Sequence, residues 1–388
     1  MMRKRWAMKK VFAPMVLALT ATSCASIENL GDARVATTSP EAPNGAIQAV
    51  PMPSALLDLD KVLNVIAFAS CAHQNEDQSL WDKVAAENPD LTLYIGDNVY
   101  GDVRSNDPAL PELKAAYMRL AQSEPFSRLR ATAPMLTTWD DHDYGLNDAG
   151  GEYQYKESAE ALYEYVWAIE DARAARPGIY ESWTIGDAGQ RVQIIMLDTR
   201  YFRSALKPTD DRGARGKERY LPDSDPSKTM LGEAQWAWLA QELRKPADLR
   251  LLVSSVQVIS DGHGWEAWKM LPAERERLYG LIDETDANGL IVLSGDRHSA
   301  ALYRKSGVNE YPIFEATSSS INLPASGFRR PGEEPYMEPG PNRLGDMYED
   351  PNYGLLKIDW DAGVVAVSIR DGAGDVVRSE DINFRNLN

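Results

Sequence analysis

Four stretches, far apart in the chain, each close an apolar, strand-like run with side chains that bind metals well. They are Phe68-Ala69-Ser70-Cys71-Ala72-His73, Gly96-Asp97-Asn98-Val99-Tyr100, Trp139-Asp140-Asp141-His142-Asp143 and Ser294-Gly295-Asp296-Arg297-His298. Carboxylate, thiolate, phenolate and imidazole groups delivered together at strand ends are what a site for more than one metal ion requires. Three of the four histidines, His73, His142 and His298, lie inside these stretches, and the fourth, His263, sits in a Gly- and Trp-rich loop. A single polar residue after a strand is an ordinary turn former. The recurrence is what points to a site, and it restricts the fold to one in which the four strand ends meet.

The hydrophobic pattern is consistent with that restriction. Apolar runs at 62–69, 91–95, 135–139, 192–198, 251–254 and 290–294 read as strands, and 78–87, 110–121 and 157–172 read as helices, with another helix before 290. Apolar strands alternating with helices indicate parallel strands buried on both faces. Sheets of that kind bind ligands beyond the carboxyl ends of their strands. The segments 354–360 and 364–369, separated by Asp361-Ala362-Gly363, predict a β-hairpin. Residues 318–350 form a long loop dense in proline, glycine and charge, of a length that is usually functional or mobile.

The amino end carries a different signal. Arg3, Lys4, Arg5, Lys9 and Lys10 precede a short apolar run from Val11 to Thr22, too short to span a bilayer and typical of a secretory leader. Leu19-Thr20-Ala21-Thr22-Ser23-Cys24 resembles a bacterial lipobox, so residues 1–24 read as a signal peptide whose Cys24 is lipidated. Residues 25–60, rich in Ala, Pro, Ser and Thr, read as a flexible tether, and 61–388 as the folded domain. The implied location is the cell envelope, with membrane contact through the lipid alone. Lipidation of Cys24 leaves Cys71 as the one remaining thiol of two, which excludes an internal disulfide and suits a metal ligand. The net charge of −17 argues against a nucleic-acid partner. Bound cations would still admit a phosphate ester to a small site.

Gly96-Asp97-x-x-Tyr100, Trp139-Asp140-Asp141-His142-Asp143, Leu197-Asp198-Thr199-Arg200 and Ser294-Gly295-Asp296-Arg297-His298, in that order, resemble the alkaline phosphatase D (PhoD-like) family of the calcineurin-like metallophosphoesterase superfamily. Ser70-Cys71 and Trp265-Glu266-Ala267-Trp268 through Ala273-Glu274-Arg275 also suit it, and the similarity runs from about 62 to 370. The tether is too short for the extra N-terminal β-sandwich domain that some members carry. The resemblance implies a four-layer α/β/β/α fold, a β-sandwich flanked by helices. Asp97 would be the carboxylate shared by two cations, with Tyr100, Cys71 and His298 completing a shell for Fe(3+). Phenolate and thiolate suit that ion better than the oxygen-seeking Mg²⁺ or Ca²⁺. Asp141 and Asp296 would bind a second cation, and carboxylates in place of histidines favour Ca(2+) there.

By the same resemblance His142 stays off the metals and protonates the leaving alkoxide, although a histidine capping its loop would look the same in sequence. Asp140 and Asp143 read as orienting groups, and Asn147 as an additional ligand. Arg200 either holds a phosphate oxygen or pairs with an aspartate to fix a loop. Gln257, which ends a strand, offers an amide oxygen ligand. His73 and His263 are pocket-lining candidates, and Arg329, Arg330 and Arg343 are candidates for contact with the non-reacting part of a substrate. The activity implied is hydrolysis of phosphate mono- or diesters by attack of a metal-bound hydroxide. The competing readings are a non-hydrolytic metal- or ligand-binding lipoprotein and a carboxylic ester hydrolase.

Overall fold

The computed structural model describes residues 48–169, 176–330, 332, 337–384 and 387, all within a unit that spans Gly45–Asn388. The leader, Cys24 and the tether as far as residue 47 lie outside the described residues. Residues 48–60 are not tether. Ala49 and Met52 are buried, and the amides of Met52 and Ala55 bond the carbonyls of Val166 and Arg130, each at 2.7 Å. Two apolar side chains were enough to bring this stretch onto the body, so the folded region begins before residue 61.

In chain order the first half comprises β1 (Val65–Ala69), α1 (Leu80–Ala86), β2 (Leu91–Ile95), α2 (Pro111–Ala121), α3 (Glu124–Thr132), β3 (Met135–Thr138), α4 (Asp141–Tyr144) and α5 (Lys156–Val166). Then come β4 (Glu181–Ile185), β5 (Val192–Met196), the short pair β6 (Lys207–Pro208) and β7 (Tyr220–Leu221), α6 (Gly232–Glu242), β8 (Leu249–Ser254), α7 (Pro272–Glu284) and β9 (Leu290–Ser294). The chain ends in β10 (Ala300–Lys305), β11 (Ile313–Ser318), β12 (Arg343–Tyr348), β13 (Asn352–Asp359), β14 (Val364–Asp371) and β15 (Val376–Asn383).

Two large sheets result. The first has the order β15-β14-β13-β1-β2-β3, and the second β12-β10-β11-β9-β8-β5-β4. Strands β1, β2 and β3 pair in parallel, as do β5, β8, β9 and β11. In the second sheet the expected parallel strands form the centre between antiparallel margins, whereas in the first they make up one half, with β3 at the edge, and β13, β14 and β15 make up an antiparallel half.

Period-two alternation separates three cores. In β1, Ile66 and Phe68 face the space between the sheets, whereas Ala67 and Ala69 pack with Trp81 of α1 and Tyr117 of α2. In β9, Ile291 and Leu293 enter the inter-sheet core, while Leu290 and Val292 pack with Trp236 of α6 and Leu278 of α7. Helices, sheet, sheet and helices therefore form the expected four α/β/β/α layers. No helix among the described residues is long and apolar enough to cross a membrane.

Two expectations need correction. The helix over 157–172 stops at Val166, because Ala168 takes a left-handed backbone with φ 53°; residues 170–175 lie outside the described residues. The loop 318–350 contains a 3₁₀ turn at Ala325–Phe328 and all of β12, which pairs with β10. Polar residues on an exposed edge strand hid β12 from the pattern, and residues 331 and 333–336 are outside the described residues.

Candidate metal centre

Residues that follow β2, β3 and β9 line one pocket of about 610 Å³, and Cys71, which follows β1, lies beside them against Asp97 and His298. Two glycines let these strand ends approach. A Cβ on Gly96 would lie 2.7 Å from Cβ of Asp140, and one on Gly295 would lie 2.5 Å from Oγ of Ser70. The donors follow at once, and four of them are held in the left-handed region: Cys71 (φ 56°), Asp97 (φ 49°), Asp296 (φ 69°) and His298 (φ 53°). Each such residue costs roughly 1–3 kcal/mol, strain that clusters where side-chain direction matters to function.

The expected residues come together. Cys71, Asp97 and His298 each place a ligand atom within 4.8 Å of the others, as do Asp97, Asp141 and His142, and again Asp140, Asp141 and Asp296. The Cys71 thiol donates to Asp97 Oδ2 at 3.4 Å, and the Tyr100 hydroxyl donates to the same oxygen at 2.9 Å. His298 Nδ1 is engaged by the carbonyl of Leu323 at 2.5 Å, which leaves Nε2 as its ligand atom. Asn147 lines the pocket. Asp143 orients its neighbours as anticipated, accepting from the amides of Asp140 (2.7 Å) and Asn98 (3.2 Å).

The electrostatics call for cations. Burial, then repulsion from Asp141, pushes the Asp97 carboxyl well above its usual range. Burial, then Asp140 and Asp141, does the same to Asp296. Burial and Asp97 also raise the Cys71 thiol and the Tyr100 phenol. Asp141 goes the other way: burial opposes its ionisation, but the charges of His142 and Arg200 outweigh that and hold it low. Burial lowers His298 to about 4, so its imidazole is neutral and fit to ligate. Asp97 Oδ1 and Asp140 Oδ2 are buried without a hydrogen-bond partner. Orphaned carboxylate oxygens in a self-repelling cluster take up protons or metal ions. The residues present therefore fit metal binding, and thiolate, phenolate and imidazole on one side with carboxylates on the other fit two kinds of ion.

His142 differs from the ligands. Its Nδ1 pairs with Asp102 Oδ1 at 2.9 Å and its ring lies 4.3 Å from that of Tyr100. Burial lowers its affinity for a proton, but Asp141, Asp97 and Asp102 together raise it well above the ordinary value. The carboxylates around it thus favour its protonated form, Asp102 fixes its Nδ1, and the ring lines the pocket. Asp102 went unnoticed in the sequence because it lies in a loop five residues after Asp97.

Two candidates are displaced. Arg200 is fully buried and does not line this pocket; its Nε donates to Asp140 Oδ1 at 2.7 Å and its Nη1 to Glu266 Oε2 at 2.6 Å. Of the two roles open to it, the pairing one is observed, although its partners are Asp140 and Glu266 and only its backbone amide bonds Asp198. Gln257 is also spent internally: Nε2 donates to Thr317 (2.9 Å) and Tyr303 (3.1 Å), and Oε1 meets His263 Nε2 at 2.9 Å. That network buries His263 away from the pocket, while His73 stacks behind Tyr100 at 5.1 Å. Arg329 pairs with Glu349 and Arg343 bonds the carbonyls of Glu338 and Gly345, so neither lines the pocket; nor does Arg330. The arginines that do are Arg219 and Arg297, beside Trp265. Neither stood out in the sequence, since no periodicity marks a rim residue. Ser319 was missed for the same reason; its Oγ lies 3.2 Å from Cys71 Sγ and accepts the His298 amide at 2.9 Å.

An α/β/β/α sandwich with a cluster of hard and soft metal donors at its central strand ends defines a class of metal-site proteins. The sequence pattern of the PhoD-like phosphatase family matches residues 66–338, and the chain belongs to that family. Alkaline phosphatase D of Bacillus subtilis (strain 168) is 25% identical over 293 residues, covering 66% of this chain and 48% of that protein. The chain thus spans about half the length of this curated relative. A solved structure titled "Structure of PhoD" superposes with a TM-score of 0.61 at 18% identity, covering 85% of this chain and 74% of the other, and shows the shared fold.

Proposed function

We propose that the protein is a metal-dependent phosphoesterase that hydrolyses phosphate monoesters, diesters or both. The observation that carries this is the pairing of an unsatisfied, buried carboxylate cluster with a fixed imidazole at the floor of one pocket. Cys71, Asp97, Tyr100 and His298 would hold Fe(3+), and Asp97, Asp141 and Asp296, with Asn147 at the wall, would hold Ca(2+). Such ions supply polarisation of the phosphoryl oxygens and a water of lowered pKa. The chain's own groups do the rest. His142 gives its proton to the departing oxygen, and Asp102 holds its tautomer and charge. Arg200 opposes the upward push that burial gives the Asp140 carboxyl and holds it in place. Family membership and the likeness to alkaline phosphatase D support the same reading.

The basic, then apolar leader with its lipobox further supports export and anchoring through Cys24. The activity is tested by loading purified protein with iron and Ca²⁺ and measuring release of nitrophenol from a phosphate monoester and from a bis-nitrophenyl diester. Turnover of at least one, abolished by chelation, is expected. Hydrolysis of acyl esters instead, or no turnover by folded and metal-loaded protein, would sink the proposal.

A further inference from the structure

The pocket is larger than its charged floor. Beyond Asp141, His142, Asp296 and His298 its lining includes an apolar wall, Trp265, Leu323, Ala325 and Phe328, beside the polar Asn147, Asp148, Arg219, Glu266 and Arg297. At about 610 Å³ it falls within the roughly 300–1,000 Å³ that holds a small organic ligand. Phe328 is 64% exposed, with its ring edge-on to His298 at 5.4 Å. A single exposed aromatic is ordinary, but this one shares a pocket with Trp265, Leu323 and Ala325, and apolar lining with a few convergent polar groups is typical of ligand sites. The wall is also fastened to the floor: the Leu323 carbonyl bonds His298 Nδ1, and the Ala325 amide donates to the His298 carbonyl at 2.7 Å. An apolar group resting on this wall would therefore be adjacent to the reacting phosphorus.

The charges of the rim narrow the class of group. Arg219 forms an ion pair with Asp148 and lies 4.9 Å over the Trp265 ring; Arg297 pairs with Glu338 and lies 5.8 Å over the same ring. Both lining arginines are thus neutralised by a carboxylate and stacked on an indole. They stiffen Trp265 and offer no unpaired cation to a second phosphate.

We propose that Trp265, Phe328, Leu323 and Ala325 form a subsite for an uncharged, apolar or aromatic group of a phosphate ester, with Phe328 the residue that most determines the preference. This rests on the phosphoesterase reading and names the substrate class for that site: esters of hydrophobic alcohols rather than polyphosphates or other polyanions.

The test is calorimetric binding of methylphosphonate and phenylphosphonate to full-length protein loaded with iron and Ca²⁺. The two ligands share an anionic head and differ in the appended group. The phenyl compound is expected to bind about tenfold tighter or more, the effect of burying one aromatic ring. Because the Phe328 ring is exposed, Phe328→Ala should fold normally, keep its affinity for methylphosphonate and reduce the preference to about threefold or less. Trp265→Leu should reduce it as well. Equal affinities in the unmodified protein, or a preference that survives both substitutions, would overturn the subsite, as would failure of both phosphonates to bind. The nitrophenyl ester assay judges the activity separately, so an aryl preference without turnover would leave the subsite standing and the hydrolytic reading refuted.

Discussion

The two sheets end their central strands with similar side chains and use them differently. In the first sheet β1, β2 and β3 deliver Cys71, Asp97 and Asp141 to the common cluster. In the second, β9 does so with Asp296 and His298, while β5 and β8 lead into Asp198, Arg200 and Gln257, which are consumed inside the protein. The distinction lies in partners, not residue type. Asp198 accepts from the Trp139 indole and from the amides of Ile179, Arg200 and Tyr201, whereas Asp97 and Asp140 each retain a buried oxygen with no partner. A satisfied carboxylate is part of the framework. An unsatisfied one held among others of like charge, as Asp97 is, is a candidate metal donor, whereas Asp141, whose oxygens accept from the His142 and Asp148 amides, joins the cluster by position alone.

The largest expected effect comes from a donor. Asp97→Asn should lower turnover by at least about a hundredfold and strip bound metal, measured by elemental analysis. Its stability in chelator should not fall. A carboxyl raised by burial and by Asp141 contributes stability that is present at low pH and lost as pH climbs through its elevated pKa. Unmodified protein in chelator therefore weakens toward alkaline pH, and the asparagine variant weakens less. A framework residue should behave in the opposite way. Arg200→Met leaves Asp140 buried without its counter-ion and Glu266 with Arg203 alone, and should cost about 3–5 kcal/mol in urea unfolding. Full stability with a raised KM would place Arg200 on the substrate and break the comparison.

Asp102→Asn occupies the middle ground. Turnover of alkyl phosphates should drop roughly tenfold or more, that of nitrophenyl esters much less, because only the poor leaving group needs the His142 proton. Equal losses would make His142 a structural cap. The smallest effect belongs to Gln257→Leu, which should cost about 1–3 kcal/mol through the unpaired His263 and leave metal content unchanged. A loss of metal there would return Gln257 to the donor set.

The same contrast explains what was legible in the sequence. The parallel strands and the candidate donors that cluster at their ends were readable because buried parallel strands are continuous apolar runs and the candidates follow them closely. Membership of the four layers followed from resemblance, since periodicity alone shows parallel strands without telling which sheet takes them. Arg200 and Gln257 carried the same signal as the donors, yet their partners, Asp140, Glu266, Thr317 and His263, come from other loops that no local pattern links. Asp102, Ser319 and the Trp265–Phe328 wall were invisible for a related reason: they act through loop geometry, which depends on where the strands place the loop ends.

The strand that carries Cys71 is flanked on one side by β2 and on the other by β13, where Val65 lies opposite Lys357. Closing a contact across nearly the whole chain is entropically expensive, and topologies dominated by such contacts fold slowly. The centre therefore needs pairings between parts of the chain far apart in sequence. Cys71 and Asp97 emerge early in synthesis, but His298 and the sheet edge that seals their rim are made near its end. A chain that still lacks residues beyond β9 thus holds Cys71 and Asp97 without the His298 that completes their group.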